Sequence, residues 1–185
     1  MTEVEKTKAG RDPVLTIGHS TRTFEEFLDL LGLHEVSHLI DVRRFPHSPR
    51  RPHFEGEALR ERLRSEGGIG YSHLPGLGGR RRPLPDSPNA GWRNPSFRGY
   101  ADHMSTQEFR EDFRRLVSLA SEEKVCLMCA EAVWWRCHRR MISDALLVRG
   151  YSVEHILGVG RRQPHSLTPW AEVIGEKELI YPPKR

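Results

Sequence analysis

The sequence predicts a single α/β domain: a mainly parallel sheet with helices on both faces, carrying a long basic and aromatic insertion loop. Three observations point there. Strand-like segments alternate with segments of helical period along the 185 residues. The strand candidates are near-continuous apolar runs, the mark of parallel strands buried on both faces. The length suits one domain that buries a core of its own.

The first twelve residues, "MTEVEKTKAGRD", are polar and lack the apolar stretch of a signal peptide. A flexible start over residues 1–12 is therefore expected, with the domain over 13–185 and a cytoplasmic location. "PVLTIGHS" reads as a first strand ending in Gly-His-Ser. "TFEEFLDLLGL" opens with a capping box, Thr23 with Glu26, and places Phe24, Phe27, Leu28 and Leu31 on one helical face. "VSHLIDVR" is a second strand, followed by the proline-rich loop "RFPHSPRRPHF". "EGEALRERLRSEG" is a short polar helix stopped at Gly67 or Gly68. "IGYSHLPGLGG" is a third strand running into a glycine-rich turn.

From Arg80 to about Met104 no period is visible, so this stretch is expected to be the insertion loop. Its aromatics, Trp92, Phe97 and Tyr100, argue against disorder and suit stacking on bases. Ser105 and Glu108 form a second capping box, ahead of a helix burying Phe109, Phe113, Leu116, Val117 and Ala120. "KVCLMCAE" is the fourth strand, "CHRRMISDALLVRG" a helix stopped by Gly150, and "YSVEHIL" the fifth strand. Beyond Gly158 the only candidate is a helix over "TPWAEVIGE". No apolar run approaches the ~20 residues that span a bilayer, so no membrane association is expected.

The net charge is +4, with 29 Lys and Arg against 25 Asp and Glu. The bases are unevenly chosen: 24 are Arg and 5 are Lys. Twelve of the arginines fall between Arg43 and Arg98, a span with no Lys and five acids. Arginine's planar fork suits phosphate and carboxylate, so an anionic substrate is expected, nucleotide or nucleic acid. Solvated surface charge is the bland alternative.

In parallel sheets, ligands bind beyond the carboxyl ends of the strands. That rule gathers residues far apart in sequence: His19 and Ser20, Asp41 and Arg43, the Pro75–Gly79 turn, then Cys129 and Glu131. The blocks "TIGHSTRTFEEFLDLL", "LIDVRRFPHSPRRPHF", "YSHLPGLGG", "FRGYADHM" and "CAEAVWWRCHRRMISDALL" resemble the family called Domain of Unknown Function 488. The resemblance runs from about Thr16 to about His165 and implies a bacterial or archaeal α/β domain. It matches at Gly18, His19, Ser20 and Thr21, at Asp41, Arg43 and Pro46, and at Cys129, Glu131, Cys137, His138 and Arg139. The Trp134–Trp135 pair departs from it.

All three cysteines lie within "VCLMCAEAVWWRCHRR". Cys137 near a helix N-terminus, flanked by Arg136, His138 and Arg139, is in a field that favours thiolate. It is the expected reactive thiol, with Cys129 as resolving or supporting partner. Glu131 and His138 would manage protons, with His19 and Asp41 joining the catalytic set. Gly18, Ser20, Thr21, Arg43 and Arg139 would bind the anion, "GHST" through hydroxyls and amides at the start of the first helix. "PGLGG" before three arginines also offers amides to phosphate, although the P-loop's Lys-Ser/Thr is missing. Cys126 is expected in the core.

No cofactor is predicted. The seven residues between Cys129 and Cys137 match no usual zinc spacing, so a metal would need His19 or His138 brought in by folding. "LIDVR" resembles a strand of rhodanese-like domains, where the catalytic Cys follows a later strand. Yet "CAEAVWWRC" has no glycine cradle for an anion. "CHR" also resembles the alkyl-accepting motif of DNA alkyltransferases over three residues only. The leading expectation is a thiol-dependent enzyme. The alternatives are a non-catalytic nucleic-acid-binding module with structural cysteines and a rhodanese-like sulfur-transfer protein. The sequence sets no oligomeric state.

Overall fold

The computed structural model describes residues 12–183. The expected flexible start, apart from Asp12, lies outside the described residues. The chain alternates β1 (Val14–Gly18), α1 (Phe24–Leu33), β2 (His38–Asp41), α2 (Gly56–Arg62) and β3 (Gly70–His73). It continues through α3 (Pro95–His103), α4 (Gln107–Glu122), β4 (Val125–Cys129), α5 (Arg139–Val148) and β5 (Val153–Gly158). Short strands β6 (Arg161–Pro164), β7 (Glu172–Ile174) and β8 (Glu178–Ile180) close it.

The main sheet has the order β3-β2-β4-β1-β5-β6, parallel except for β6. Side chains alternate across it and divide the core in two. On one face Leu15, Ile17, Leu39, Cys126 and Met128 pack with Phe24, Phe27 and Leu31 of α1 and Leu59 of α2. On the other, Ile40, Leu127 and Cys129 pack with Tyr100 of α3, Phe113 and Leu116 of α4 and Met141 of α5. Cys126 and Cys129, three apart on β4, therefore face opposite sides of the sheet. Cys126 is core: it is fully buried, and burial pushes its thiol pKa up.

Two strand ends set the position of a site. The connection after β1 runs to β2 on one side, and that after β4 runs to β5 on the other. β1 and β4 are adjacent, with Gly18 opposite Cys129. Their diverging connections open a crevice at the carboxyl edge, where such sheets bind ligands.

Local chemistry explains most element ends. Thr23 caps α1 through Glu26, both halves of the capping box being formed. α2 widens into a π-helical turn over Leu63–Gly67 and stops at Gly68, whose φ of 63° is left-handed.

Three sequence expectations need correction. The irregular insertion ends at Asn94, because Asn94 caps a helix with Pro95 in its first turn. Phe97, Tyr100, Ala101 and Met104 keep a helical period across α3, a signal hidden by the Gly and Pro around it. Trp92 and Tyr100 are buried in the core and cannot stack on bases. The cap of α4 is Thr106, whose hydroxyl accepts from the Phe109 amide; Ser105 instead donates to the Asp102 carbonyl. No helix forms over "TPWAEVIGE"; the segment turns at Thr168 and pairs as β7 with β8 around Gly175, whose φ is 56°. Antiparallel β6 was also missed, since "RRQP" is fully polar and exposed.

Candidate active site

β4 ends at Cys129, a single turn of 3₁₀ helix follows over Trp134–Arg136, and α5 starts at Arg139. This return brings Cys137 Sγ to 3.0 Å from Cys129 Sγ, and both thiols are free. Both cysteines are 97% or more buried, and of the two only Cys129 lines the adjoining pocket. Their hydrogen-bond partners also differ. Cys137 Sγ lies 3.5 Å from His138 Nδ1 and accepts from the Arg139 amide at 3.5 Å. His138 Nε2 must carry a proton, because its partner is the Val42 carbonyl at 2.8 Å. Cys129 Sγ instead has two acceptors in reach of its one proton, the Cys137 sulfur at 3.0 Å and the Glu131 carbonyl at 3.7 Å.

Charge follows this division. Burial alone would raise the Cys137 pKa. The Cys129 hydrogen bond, His138 and Arg139 outweigh it and hold Cys137 well below the usual thiol range. Burial and the neighbouring Cys137 push Cys129 up. Burial would lower the pKa of His138, but the Cys137 charge raises it instead. These shifts favour a thiolate on Cys137 beside a protonated His138, with the proton of the pair kept on Cys129.

Arg139 lies beneath, 1% exposed, donating to the Glu131 carbonyl at 2.6 Å and to Thr16 Oγ1 at 3.2 Å. Among the described residues it pairs with no carboxylate. Its link to Thr16 begins a buried relay. Thr16 Oγ1 accepts from Arg139 and so donates to His155 Nδ1 at 2.7 Å. His155 Nε2 donates to His165 Nδ1 at 3.0 Å, and His165 Nε2 to Asp144 Oδ1 at 2.9 Å. Asp144 also accepts from the Thr168 amide and the Tyr181 hydroxyl, each at 3.0 Å. Burial holds His155 at about 2, and Trp134 stacks on its ring at 4.0 Å.

Above the thiols opens a pocket of about 540 Å³. His19, Arg43, Cys129, Glu131 and His138 line it together with Arg44, Phe45 and Arg80. Arg43 grips Asp41 bidentately, at 2.9 and 2.6 Å, and donates to the Phe54 carbonyl; its Nη1 is buried with no partner. Asp41 is sealed behind it and also accepts from Tyr71. His19 donates from Nδ1 to the Ser20 carbonyl, stacks on Phe54 at 4.3 Å and leaves Nε2 buried and unpartnered. Burial lowers its pKa to about 4, so it is neutral and Nε2 is an acceptor. Arg43 and His19, both in the pocket lining, thus each hold one buried polar atom without a partner, a donor and an acceptor. Buried polar atoms without partners are uncommon and mark places completed by something else.

The other expected site residues take different positions. Gly18 stands where the Glu131 carbonyl crosses the sheet edge, and a Cβ there would overlap it. The amides of His19 and Ser20 are used by the carbonyls of Cys129 and Ala130, at 2.8 and 3.0 Å. α1 begins only at Phe24, and Thr21 is exposed in the preceding turn. Those two amides therefore have no capacity left for a phosphate. In the Pro75–Gly79 turn, the amides of Gly76, Leu77 and Gly78 are likewise taken. The Glu131 carboxylate is exposed and, among the described residues, hydrogen-bonds to neither His19 nor His138.

Sequence reasoning did not find Arg44, Phe45 and Arg80 as pocket residues, nor the relay. The relay had a signal: Asp144 interrupts the apolar face of α5, and His155 sits inside an apolar strand. No group of three His, Cys, Asp or Glu side chains among the described residues is placed to hold a metal. No helix among them is long and apolar enough to cross a membrane.

Compared with protein-family models, residues 23–146 match Domain of unknown function DUF488. No curated protein and no solved structure matches. The matched span contains Asp41, Arg43, Cys129, Cys137, His138 and Arg139, while His19, His155 and His165 lie outside it. That span is well over half of the 185 residues and includes the strand–turn–helix that builds the thiol pair, so the chain belongs to the DUF488 family.

Proposed function

We propose that this protein is a cysteine-dependent enzyme acting on a phosphate-bearing substrate, a nucleotide or nucleic acid. The observation that carries the reading is the division of partners between two sulfurs 3.0 Å apart: donors around Cys137, an acceptor beside Cys129. Cys137 is the nucleophile at rest. Its thiolate attacks an electrophilic centre of the substrate, and His138, protonated while the thiolate is present, gives its proton to the leaving group. Arg43 supplies a donor to the anion, and neutral His19 accepts from a substrate N–H or O–H. Cys129 is the supporting thiol, in reach of any adduct on Cys137.

The second thiol also favours a particular chemistry, sulfur transfer. A persulfide on Cys137, taken from a sulfane-sulfur donor, can be attacked by Cys129 once its proton has left. The Cys129–Cys137 bond forms, hydrosulfide departs, and an external dithiol must then reduce the disulfide.

Differential labelling tests the reading. Native protein treated with iodoacetamide near neutral pH should modify Cys137 first, Cys129 more slowly and Cys126 only on unfolding. Cys137→Ser should remove the fast phase with little change in stability. Uniform protection of all three until unfolding would refute the enzyme reading and leave a binding module with structural cysteines. Incubation with thiosulfate should add one sulfur to the peptide holding Cys137 if sulfur transfer is the chemistry.

A further inference from the structure

The pocket above the thiols does not end at its own wall. A second basin of about 450 Å³ adjoins it, and Arg44 and Arg80 line both. The second basin continues along Arg82 to the N-terminal side of α4. Each basin is large enough for one nucleotide-sized group. A mononucleotide would fill one and leave the other empty.

The groups along this path are arranged as a track. Arg44 donates to the Arg80 carbonyl at 2.9 Å, tying the loop after β2 to the loop after β3. Arg81 is turned inward, held bidentately by Glu108 at 3.0 and 3.1 Å and by the carbonyls of Gly78 and Pro75. Its neighbours Arg80 and Arg82 are exposed. α3 pins this segment, because Gly99 lies directly under the Arg81 and Arg82 backbone where any Cβ would overlap. Arg80 keeps a left-handed φ of 60°, a conformation that non-glycine residues adopt at some cost and often at ligand sites.

The acids along the path are Glu131, whose carboxylate is exposed, and two that are held by neighbouring groups. Asp102 accepts from the Leu84 amide, Ser87 and Asn89, and Glu108 is bound to Arg81. Three guanidinium groups, those of Arg44, Arg80 and Arg82, therefore face the two basins. At the mouth of the thiol pocket Phe45 is 59% exposed, with the Arg44 guanidinium 5.4 Å from its ring centroid. An exposed aromatic ring among arginines matches the way proteins hold unpaired bases: rings stack on bases while cations follow the phosphates.

We infer that the two basins form one binding track for single-stranded nucleic acid, with a base stacked on Phe45 and phosphates along Arg44, Arg80 and Arg82. The track rests on the thiol reading for its purpose, since it delivers an adjoining nucleotide to Cys137. Duplex fits poorly, because its base faces are already stacked and cannot reach Phe45.

Fluorescence anisotropy with labelled oligonucleotides tests this, using the Cys129→Ser, Cys137→Ser double variant so that binding is read apart from chemistry. Single-stranded RNA and DNA of the same sequence form separate arms, because the phosphate and base contacts are shared by both. Either or both should bind more tightly than duplex and at least about 10-fold more tightly than a mononucleotide. Phe45→Ala should weaken binding by about 10-fold, and Phe45→Trp should retain it. Arg80→Ala should lower the slope of log K against log salt by about 0.7, the value for one phosphate contact on a single strand. Arg64→Ala, at the opposite edge of the sheet, should leave both affinity and slope unchanged. Equal affinity for mononucleotide and oligonucleotide would overturn the track while leaving the thiol reading intact. So would equal salt slopes for the Arg80 and Arg64 variants, or no binding at all. Failure of the thiol reading shows separately, as an unlabelled Cys137 in the unmutated protein.

Discussion

Arg139 separates two polar regions built by opposite rules. On one side is the pocket, where Arg43 Nη1 and His19 Nε2 are buried without partners. On the other is the relay from Thr16 through His155 and His165 to Asp144, in which each link has a defined donor and acceptor. Both are buried and histidine-rich, so residue type alone would not tell them apart. What differs is satisfaction. The links of the relay are all paired, whereas two residues of the pocket lining keep a polar atom without a partner.

The largest effect is expected where the two regions meet. Arg139→Met should destabilise the protein by about 3–5 kcal/mol, since it strips the Glu131 carbonyl, Thr16 and the Cys137 thiolate of one shared cation. Denaturant unfolding measures the loss, and ultraviolet titration of the thiolate should show the Cys137 pKa moving up. An unmoved pKa would mean that the Cys129 hydrogen bond and His138 charge the sulfur without Arg139.

Asp144→Asn acts on the finished side only. Three donors converge on that carboxylate, and an amide cannot accept from all of them, so a loss of about 1–3 kcal/mol is expected. The rate of Cys137 alkylation should stay the same. A matching fall in that rate would show that the relay tunes the thiol, and the two regions would then be one device.

Acid should weaken both sides with the same sign. His19, held down to about 4, and His155, to about 2, take up protons less readily when folded than when unfolded. Their contribution is complete above about 6.5 and is lost as pH falls through the folded values. The unfolding midpoint should therefore drop steadily from pH 6.5 towards 4. At higher pH the lowered pKa of Cys137 and the raised pKa of His138 act with opposite signs, so stability should be nearly flat between about 6.5 and 8.5. A steady rise across that window would mean that the thiolate forms without a proton on His138.

The smallest expected effect is a gain. Ser20 sits at the crevice with a left-handed φ of 50°, so Ser20→Gly should add up to about 1 kcal/mol. Thermal unfolding would register it as a small upward shift, and a downward one would show that the Ser20 side chain contributes more than its backbone costs.

Much of this was legible beforehand, and for definable reasons. The five parallel strands announced themselves as apolar runs, and the strand-end rule then placed His19, Arg43 and Cys129 around one pocket. What stayed hidden depends on contacts across the sheet. Nothing in "DVRRFPH" says that Arg43 turns inward to Asp41 while Arg44 and Phe45 turn out. The buried state of Trp92 and Tyr100 was equally unreadable, because the helical period of α3 is short and crowded by Gly and Pro. The relay needed partners more than a hundred residues apart, Thr16 with His155, and no local pattern reports that distance.

Cys137 lies in extended backbone just before His138, the N-cap of α5, and its sulfur receives the Arg139 amide at the first turn of that helix. A sulfur that holds a helix end cannot change its charge unnoticed. Under the proposed chemistry, a covalent bond at Cys137 would remove the negative charge that faces that amide and His138, and release of the product would restore it. The first turn of α5 would then register each bond made and broken at a single atom.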